Sequence, residues 1–217
     1  MTKTPILDHF HDLLHKDQIQ NLRKLSDYLL ENAYFLQSTG RFDMGTYAEN
    51  ESREETLEIE DLISGFNEGC KTVGCAAGHG PLAGVKSSKS CNGWEEYIEE
   101  EFTSAHRTLY VWFFECDWEK FDPTPYGAGL RIKAFLDKDP RLENFFNEYK
   151  RFEEDFNPIE EPDYCYSSIS SHALRLYRTV EVDDDTLYFG EHFYFLRDEV
   201  DEWLKVNNLG SIKIDHY

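Results

Sequence analysis

The chain has no apolar run near the roughly 20 residues that a bilayer-spanning helix needs. It is also short of positive charge: 22 Lys and Arg stand against 43 Asp and Glu, a net charge of -21. That scarcity argues against a binder of duplex nucleic acid, whose phosphates need clustered Lys and Arg. It argues equally against an anionic membrane surface. The start, Met1-Thr-Lys-Thr-Pro-Ile-Leu-Asp8, has no signal-peptide core, so a soluble protein of the cytoplasm is expected. Cysteine is odd in number, at five, which excludes a simple disulfide framework. There is no internal repeat, no P-loop and no dinucleotide fingerprint. Paired acids such as Glu100 with Glu101, or Asp183 to Asp185, lack the apolar setting that raises a carboxyl pKa, so they take no general-acid role.

What is present is length and aromatic bulk. The 217 residues include 16 Phe, 13 Tyr and 4 Trp, enough for a sizeable aromatic core. Helical spacing fills the first 33 residues. Ile6, Phe10, Leu13 and Leu14 form one set; Ile19, Leu22, Leu25, Leu29 and Leu30 form another after Lys16 and Asp17. Residues 34 to 48 read as extended or irregular, with a break at Gly40. Residues 49 to 61 read as an acidic exposed loop or solvated helix. Trp94 to Phe102 reads as a helix with Trp94, Tyr97, Ile98 and Phe102 inward and its Glu residues outward. The apolar run from Thr108 to Cys116 fits a buried strand or a buried helix equally.

Asp122-Pro-Thr-Pro-Tyr126 is a rigid turn that precedes a helix with Ala128, Ile132, Phe135 and Leu136 on one face. Pro140 opens the next helix, with Leu142, Phe145, Phe146, Tyr149 and Phe152 inward. Farther on, alternation from Leu174 to Val182, a turn at Asp183 to Asp185, and Thr186 to Phe189 predict a hairpin. A last helix starts near Gly190, turns Phe193, Leu196, Val200, Trp203 and Leu204 inward, and ends at Asn207 to Gly210. The expected fold is mainly α (α+β): a helical globular domain over residues 1–152. An acidic extension over 153–217, hairpin plus helix, packs on the first part.

The segment from Cys70 to Gly84 is rich in small residues and free of carboxylates. Three chemistries fit residues of that kind. Cys70, Cys75, His79 and Cys91 are three sulfurs and a nitrogen, a zinc donor set. Their spacing of x4, x3 and x11 lacks the tight x2 pair of structural sites, so no metal is assigned. Cys75 and His79 lie four apart, but two side chains projecting from one helix face do not point at each other and no orienting third residue is identifiable. Gly74, Gly78, Gly80 and Gly84 present backbone amides for an anion, with Lys71, His79 and Arg131 adding positive charge. Against all three stands close packing, since Ala76, Ala77 and Gly78 let another backbone or a ring approach. Trp94, Trp112, Trp118 and Tyr126 either stack on a ligand ring or belong to the core.

Phe42-Asp-Met-Gly-Thr-Tyr47, then Cys70-Lys-Thr-Val-Gly-Cys-Ala-Ala-Gly-His79, then Trp112 to Trp118, then Thr124-Pro-Tyr-Gly-Ala-Gly-Leu-Arg-Ile132 occur in this order. The order resembles a family of bacteriophage and bacterial proteins that carries no assigned activity. It covers roughly residues 17 to 137. The chain departs by Lys71 where family members often have Gly, and by its acidic extension. The resemblance implies a phage or prophage setting and one fold over the N-terminal part.

The reading that follows is a non-enzymatic protein without metal or cofactor that binds a small anionic, nucleotide-like ligand and sequesters a host immune signal. Lys71, Thr72, His79 and Arg131 would contact phosphates, Gly78 and Gly80 would donate amides, and Trp112 or Trp118 would stack. The alternative is an acidic inhibitor or nucleic-acid mimic on a basic host protein. An enzyme using Cys75 or His79 comes third. No membrane partner is expected, and a homo-oligomer is left open. The ligand reading requires a concave pocket touching both Gly78 and Arg131.

Overall fold

A computed structural model describes residues 5–44, 48–49, 73–87, 93–114, 124–143, 146–147 and 198–210. These residues are mostly helical. Helix α1, Ile6–Leu13, buries Leu7 and Phe10. Its first amides, with no partner inside the helix, are taken by the Glu143 carboxylate: Ile6 N–H donates to Oε2 at 3.0 Å and Leu7 N–H to Oε1 at 3.4 Å. His11 ties the other end down, its Nε2 on the Phe135 carbonyl at 2.7 Å and its ring stacked on that of Phe135 at 4.4 Å.

Helix α2, Lys16–Ser38, is the long element, about 34 Å at 1.5 Å per residue. Gln18, Asn21, Leu22, Leu25, Ser26, Leu29, Ala33 and Leu36 recur at three and four and make its buried stripe. The helix therefore runs through Tyr34-Phe-Leu36, where an extended stretch was expected. Leu36 continues the stripe, while Tyr34 and Phe35 face outward at 56% and 48% exposure. It ends at Ser38, five residues past the expected limit and just before the break read at Gly40. Gly40 adopts φ +66, and Arg41 N–H closes on the Leu36 carbonyl at 2.9 Å, a left-handed glycine cap.

The chain then contributes two short strands. Strand β1, Ala48–Glu49, pairs antiparallel with β2, Val73–Gly74, in the register Ala48 to Gly74 and Glu49 to Val73; Phe42 bridges Gly74 in the parallel sense. Glu49, expected in an acidic loop or helix, is thus in a strand; the rest of that stretch, 50–61, and the hairpin expected at 174–189 lie outside the described residues.

Helix α3, Trp94–Ile98, widens into a π-helical turn over Glu99–Thr103. Its carbonyls are met by side chains of α2. Gln18 Nε2 donates to the carbonyls of Glu99 and Glu100 at 3.2 and 2.9 Å, and Asn21 Nδ2 to that of Glu101 at 3.2 Å. Trp94, Tyr97, Ile98 and Phe102 point inward as expected, but Glu101 joins them rather than the outer face, because Asn21 Nδ2 also donates to its Oε2 at 3.0 Å. The ambiguous apolar run is helical: α4, Arg107–Phe114, buries Leu109, Trp112, Phe113 and Phe114.

Helix α5, Pro125–Leu136, starts with Thr124 Oγ1 accepting the Gly127 amide at 3.0 Å and with Pro125 at its first position. Gly127-Ala-Gly129 lies inside this helix, with Ala128 on its buried face as expected. Gly129 is where α2 comes closest: a Cβ there would meet Leu30 Cγ at 2.8 Å, and Ser26 Oγ donates to the Gly129 carbonyl at 2.9 Å. A 3-10 turn, Pro140–Leu142, follows. The last described helix, α6 over residues 198–206, sets buried Val200 and Leu204 against Tyr126 and Leu130, and Trp203 stacks on Tyr126 at 4.8 Å and 7°. Phe10, Trp112, Phe113, Phe135 and Phe146 interlock in the centre, with ring centroids 4.9 to 5.8 Å apart in the pairs they form.

Candidate functional site

The small-residue segment folds as strand, turn and loop. After β2, Cys75 leads into a 3-10 turn at Ala77–His79. Several backbone donors of this stretch are used within it. His79 N–H bonds the Cys75 carbonyl at 3.1 Å, Gly80 N–H the Ala77 carbonyl at 2.9 Å, and Val85 N–H the Gly80 carbonyl at 3.0 Å. Gly84, at φ +78, turns the chain out again. Everything from Val73 to Pro81 is buried. The reason for small residues is direct at Gly80. A Cβ there would meet Tyr97 Oη at 2.5 Å, the Ala77 carbonyl at 3.0 Å and Phe102 Cζ at 3.1 Å, and the Tyr97 hydroxyl is held by the Val85 carbonyl at 2.8 Å.

His79 is 1% exposed. Its Nε2 lies 3.0 Å from the Arg41 carbonyl; a carbonyl only accepts, so Nε2 carries the proton and Nδ1 the lone pair. Phe42 stacks on the ring at 5.7 Å and 12°, and Tyr28 at 6.0 Å and 28°. Burial pulls the pKa down to about 4 against the opposing carbonyls of Arg41 and Gly74, so the ring is neutral at pH 7. Burial likewise pushes the Cys75 thiol up to about 11, although the amides of Gly78 and Ala77 favour its anion. A thiol in that state is a poor nucleophile.

Of the residues expected to hold a ligand, Gly78, His79, Gly80, Trp112 and Arg131 fall among those described, and all five are buried. Gly78, His79 and Gly80 share one turn. Trp112 and Arg131 meet elsewhere, where the indole Nε1 donates to the Arg131 main-chain carbonyl at 3.1 Å. Helix α2 stands against both groups, with Tyr28 on His79 and Leu29 and Leu30 on Gly129. Arg131 is fully buried on α5. Lys71, Thr72 and Trp118 lie outside the described residues, as do Cys70 and Cys91. Among the described residues no group of three or more His, Cys, Asp or Glu is placed to hold a metal. No described helix is long and apolar enough to cross a membrane.

The polar residues that organise this region were not singled out from sequence. Gln18 and Asn21 sit on the apolar stripe of α2, and that position was their signal. They hold the π turn that follows α3; Glu95 on α3 and Glu99 on the turn are exposed, with Glu96 and Glu100 half-buried beside them. No model of a known family, no curated protein and no solved structure matches the chain.

Proposed function

We propose that this chain is a non-enzymatic binding protein that docks through an acidic helical surface on a basic protein and occupies a site the partner otherwise offers to nucleic acid. The observation behind this reading is the row Glu95, Glu96, Glu99 and Glu100 along α3 and its π turn, in a chain of net charge -21. Residues three and four apart on a helix stand about 5–6 Å from each other, so the row is a line of closely spaced anions. Trp94, Tyr97, Ile98 and Phe102 anchor the opposite face in the core. The carboxylates are therefore carried on a fixed backbone, and less freedom is lost when a partner docks. The net negative field speeds encounter with a basic surface. In the phage or prophage setting suggested by the motif order, the partner is a host protein.

The small-ligand reading has weaker support from the same geometry. A nucleotide-like anion at His79, Gly78, Gly80, Trp112 and Arg131 has to enter packed core, face a neutral imidazole and find the Gly80 amide already bonded. The test compares full-length wild type with the quadruple variant Glu95→Gln, Glu96→Gln, Glu99→Gln, Glu100→Gln. Wild type, immobilised in host extract, should retain a basic protein that high salt or duplex DNA releases; the variant should bind it about tenfold or more weakly. Equal retention by the variant sinks the proposal. Native mass spectrometry of wild type drawn from cells with a nucleotide-sized adduct would restore the ligand reading in its place.

A further inference from the structure

Behind its buried stripe, α2 has an outward face. Lys16, Asp17, Arg23, Lys24, Asp27 and Glu31 are exposed there, and none of these side chains makes a hydrogen bond or ion pair among the described residues. The cations Lys16, Arg23 and Lys24 balance the anions Asp17, Asp27 and Glu31, so the face is neutral in a chain of net charge -21. It ends in two exposed aromatics, Tyr34 and Phe35, with the Arg41 guanidinium 5.0 Å from the centre of the Phe35 ring. Tyr, Phe and Arg are residue types that protein interfaces concentrate.

The order of these residues matters more than their number. Apart from Asp17, the cations lie toward the start of the helix and the anions and aromatics toward its end. A twofold interface needs a patch complementary to itself, in which one residue meets a second and the second meets the first. Reversing α2 against itself supplies that. Lys24 and Glu31 lie equally far from the point between Asp27 and Tyr28, about 5 Å along the axis on either side at 1.5 Å per residue. They are two turns apart and share one line of the helix. Arg23, Asp27 and Tyr34 share the neighbouring line.

We propose that the outward face of α2 is the interface of a homodimer, in which two copies pack antiparallel and Lys24 of each meets Glu31 of the other. In the same register Arg23 falls beside Asp27 and Tyr34 of the second copy, and Phe35 falls opposite Gln20 with the Lys24 stem beside it, so aliphatic stems and a guanidinium cover the rings. The occupant is a second copy because the face is neutral. Two chains of net charge -21 meet there with less repulsion than on an acidic surface. A strongly basic partner is drawn to the acidic surfaces instead, and an acidic one meets Asp27 and Glu31. The pairing uses no residue of the row Glu95, Glu96, Glu99 and Glu100, so the docking function proposed above stands or falls separately.

Sedimentation equilibrium of the full-length chain tests this at about 0.15 M salt, where charges beyond about 8 Å are screened and local pairs decide. Wild type should pass from one chain to two as its concentration rises through the micromolar range. Lys24→Glu and Glu31→Lys should each weaken the dimer about tenfold or more, because each sets like charges together twice across the axis. Mixing the two variants restores opposite charges at both contacts, and they should pair with each other more tightly than either pairs with itself. The double variant Lys24→Glu, Glu31→Lys keeps the net charge of wild type and should recover its dimer. A wild type that stays monomeric to about 100 µM, a dissociation constant that would leave less than 8.2 kcal/mol of association, overturns the proposal. So does a dimer that neither single change weakens, or a mixture of the two variants that fails to pair.

Discussion

Gly80 and Gly129 are two points where the chain touches itself without room for a methyl group. At Gly129 the obstacle is a leucine side chain, which can shift. At Gly80 it is a hydroxyl fixed by its own hydrogen bond and, behind it, a main-chain carbonyl. The two glycines should therefore differ in tolerance although both are helical in φ. Gly80→Ala forces Tyr97 off the Val85 carbonyl, and overpacking of this kind costs about 1–3 kcal/mol. Urea unfolding should show a lower midpoint with an unchanged slope. At the same scale, the segment from Cys70 to Gly84 was conspicuous in sequence for small side chains. Its depth was not legible, because composition distinguishes close packing from an open anion site only when the opposing residues are known. Here they are Tyr28, Tyr97 and Phe102, none of them a near neighbour in sequence.

Helix α1 is held at both ends by residues more than 100 positions away, the Glu143 carboxylate at its start and the Phe135 carbonyl and ring at its finish. Burial lowers the pKa of His11, the residue that makes the second tie. A histidine with a depressed pKa in the folded state gains its proton more readily when unfolded. Docking of α1 is thus insensitive to pH above about 6.5, the unperturbed value, and weakens as pH falls below it. An NMR titration of the His11 ring should give a midpoint below about 6.5, and a midpoint above that contradicts the account. The helices themselves were readable wherever apolar residues recur at three and four, as in α1, α2, α3 and α5. The reading failed at Tyr34-Phe-Leu36, since two of those three apolar side chains face solvent and the stripe passes through small Ala33 instead. It stayed undecided over α4, whose apolar residues surround the helix and erase the period. The π turn was beyond reach, because it depends on Gln18 and Asn21 about 80 residues away.

Across the whole molecule, α2 is the element that most others lean on. It grips the π turn through Gln18, meets α5 at Ser26 and stacks Tyr28 on His79, and just past its end the Arg41 carbonyl holds both His79 and β2. Helix α6 leans instead on α5, by Trp203 over Tyr126 and by Val200 and Leu204. Trp203→Ala removes the stack, worth about 0.5–1.5 kcal/mol of docking. The variant should lose protection of the amides over 198–206 in hydrogen exchange while those of α2 keep theirs, and uniform loss across both helices would contradict the separation. The central place of α2 also has a consequence during synthesis. About 100 residues separate Leu29 from Gly129, so at about 5–20 residues per second the stripe of α2 leaves the ribosome roughly 5–20 s before α5 exists to cover it. For that interval a row of leucines has no native partner, and the nascent chain depends on whatever shields it, so production of this protein is expected to be limited by chaperone supply rather than by the stability of the finished fold.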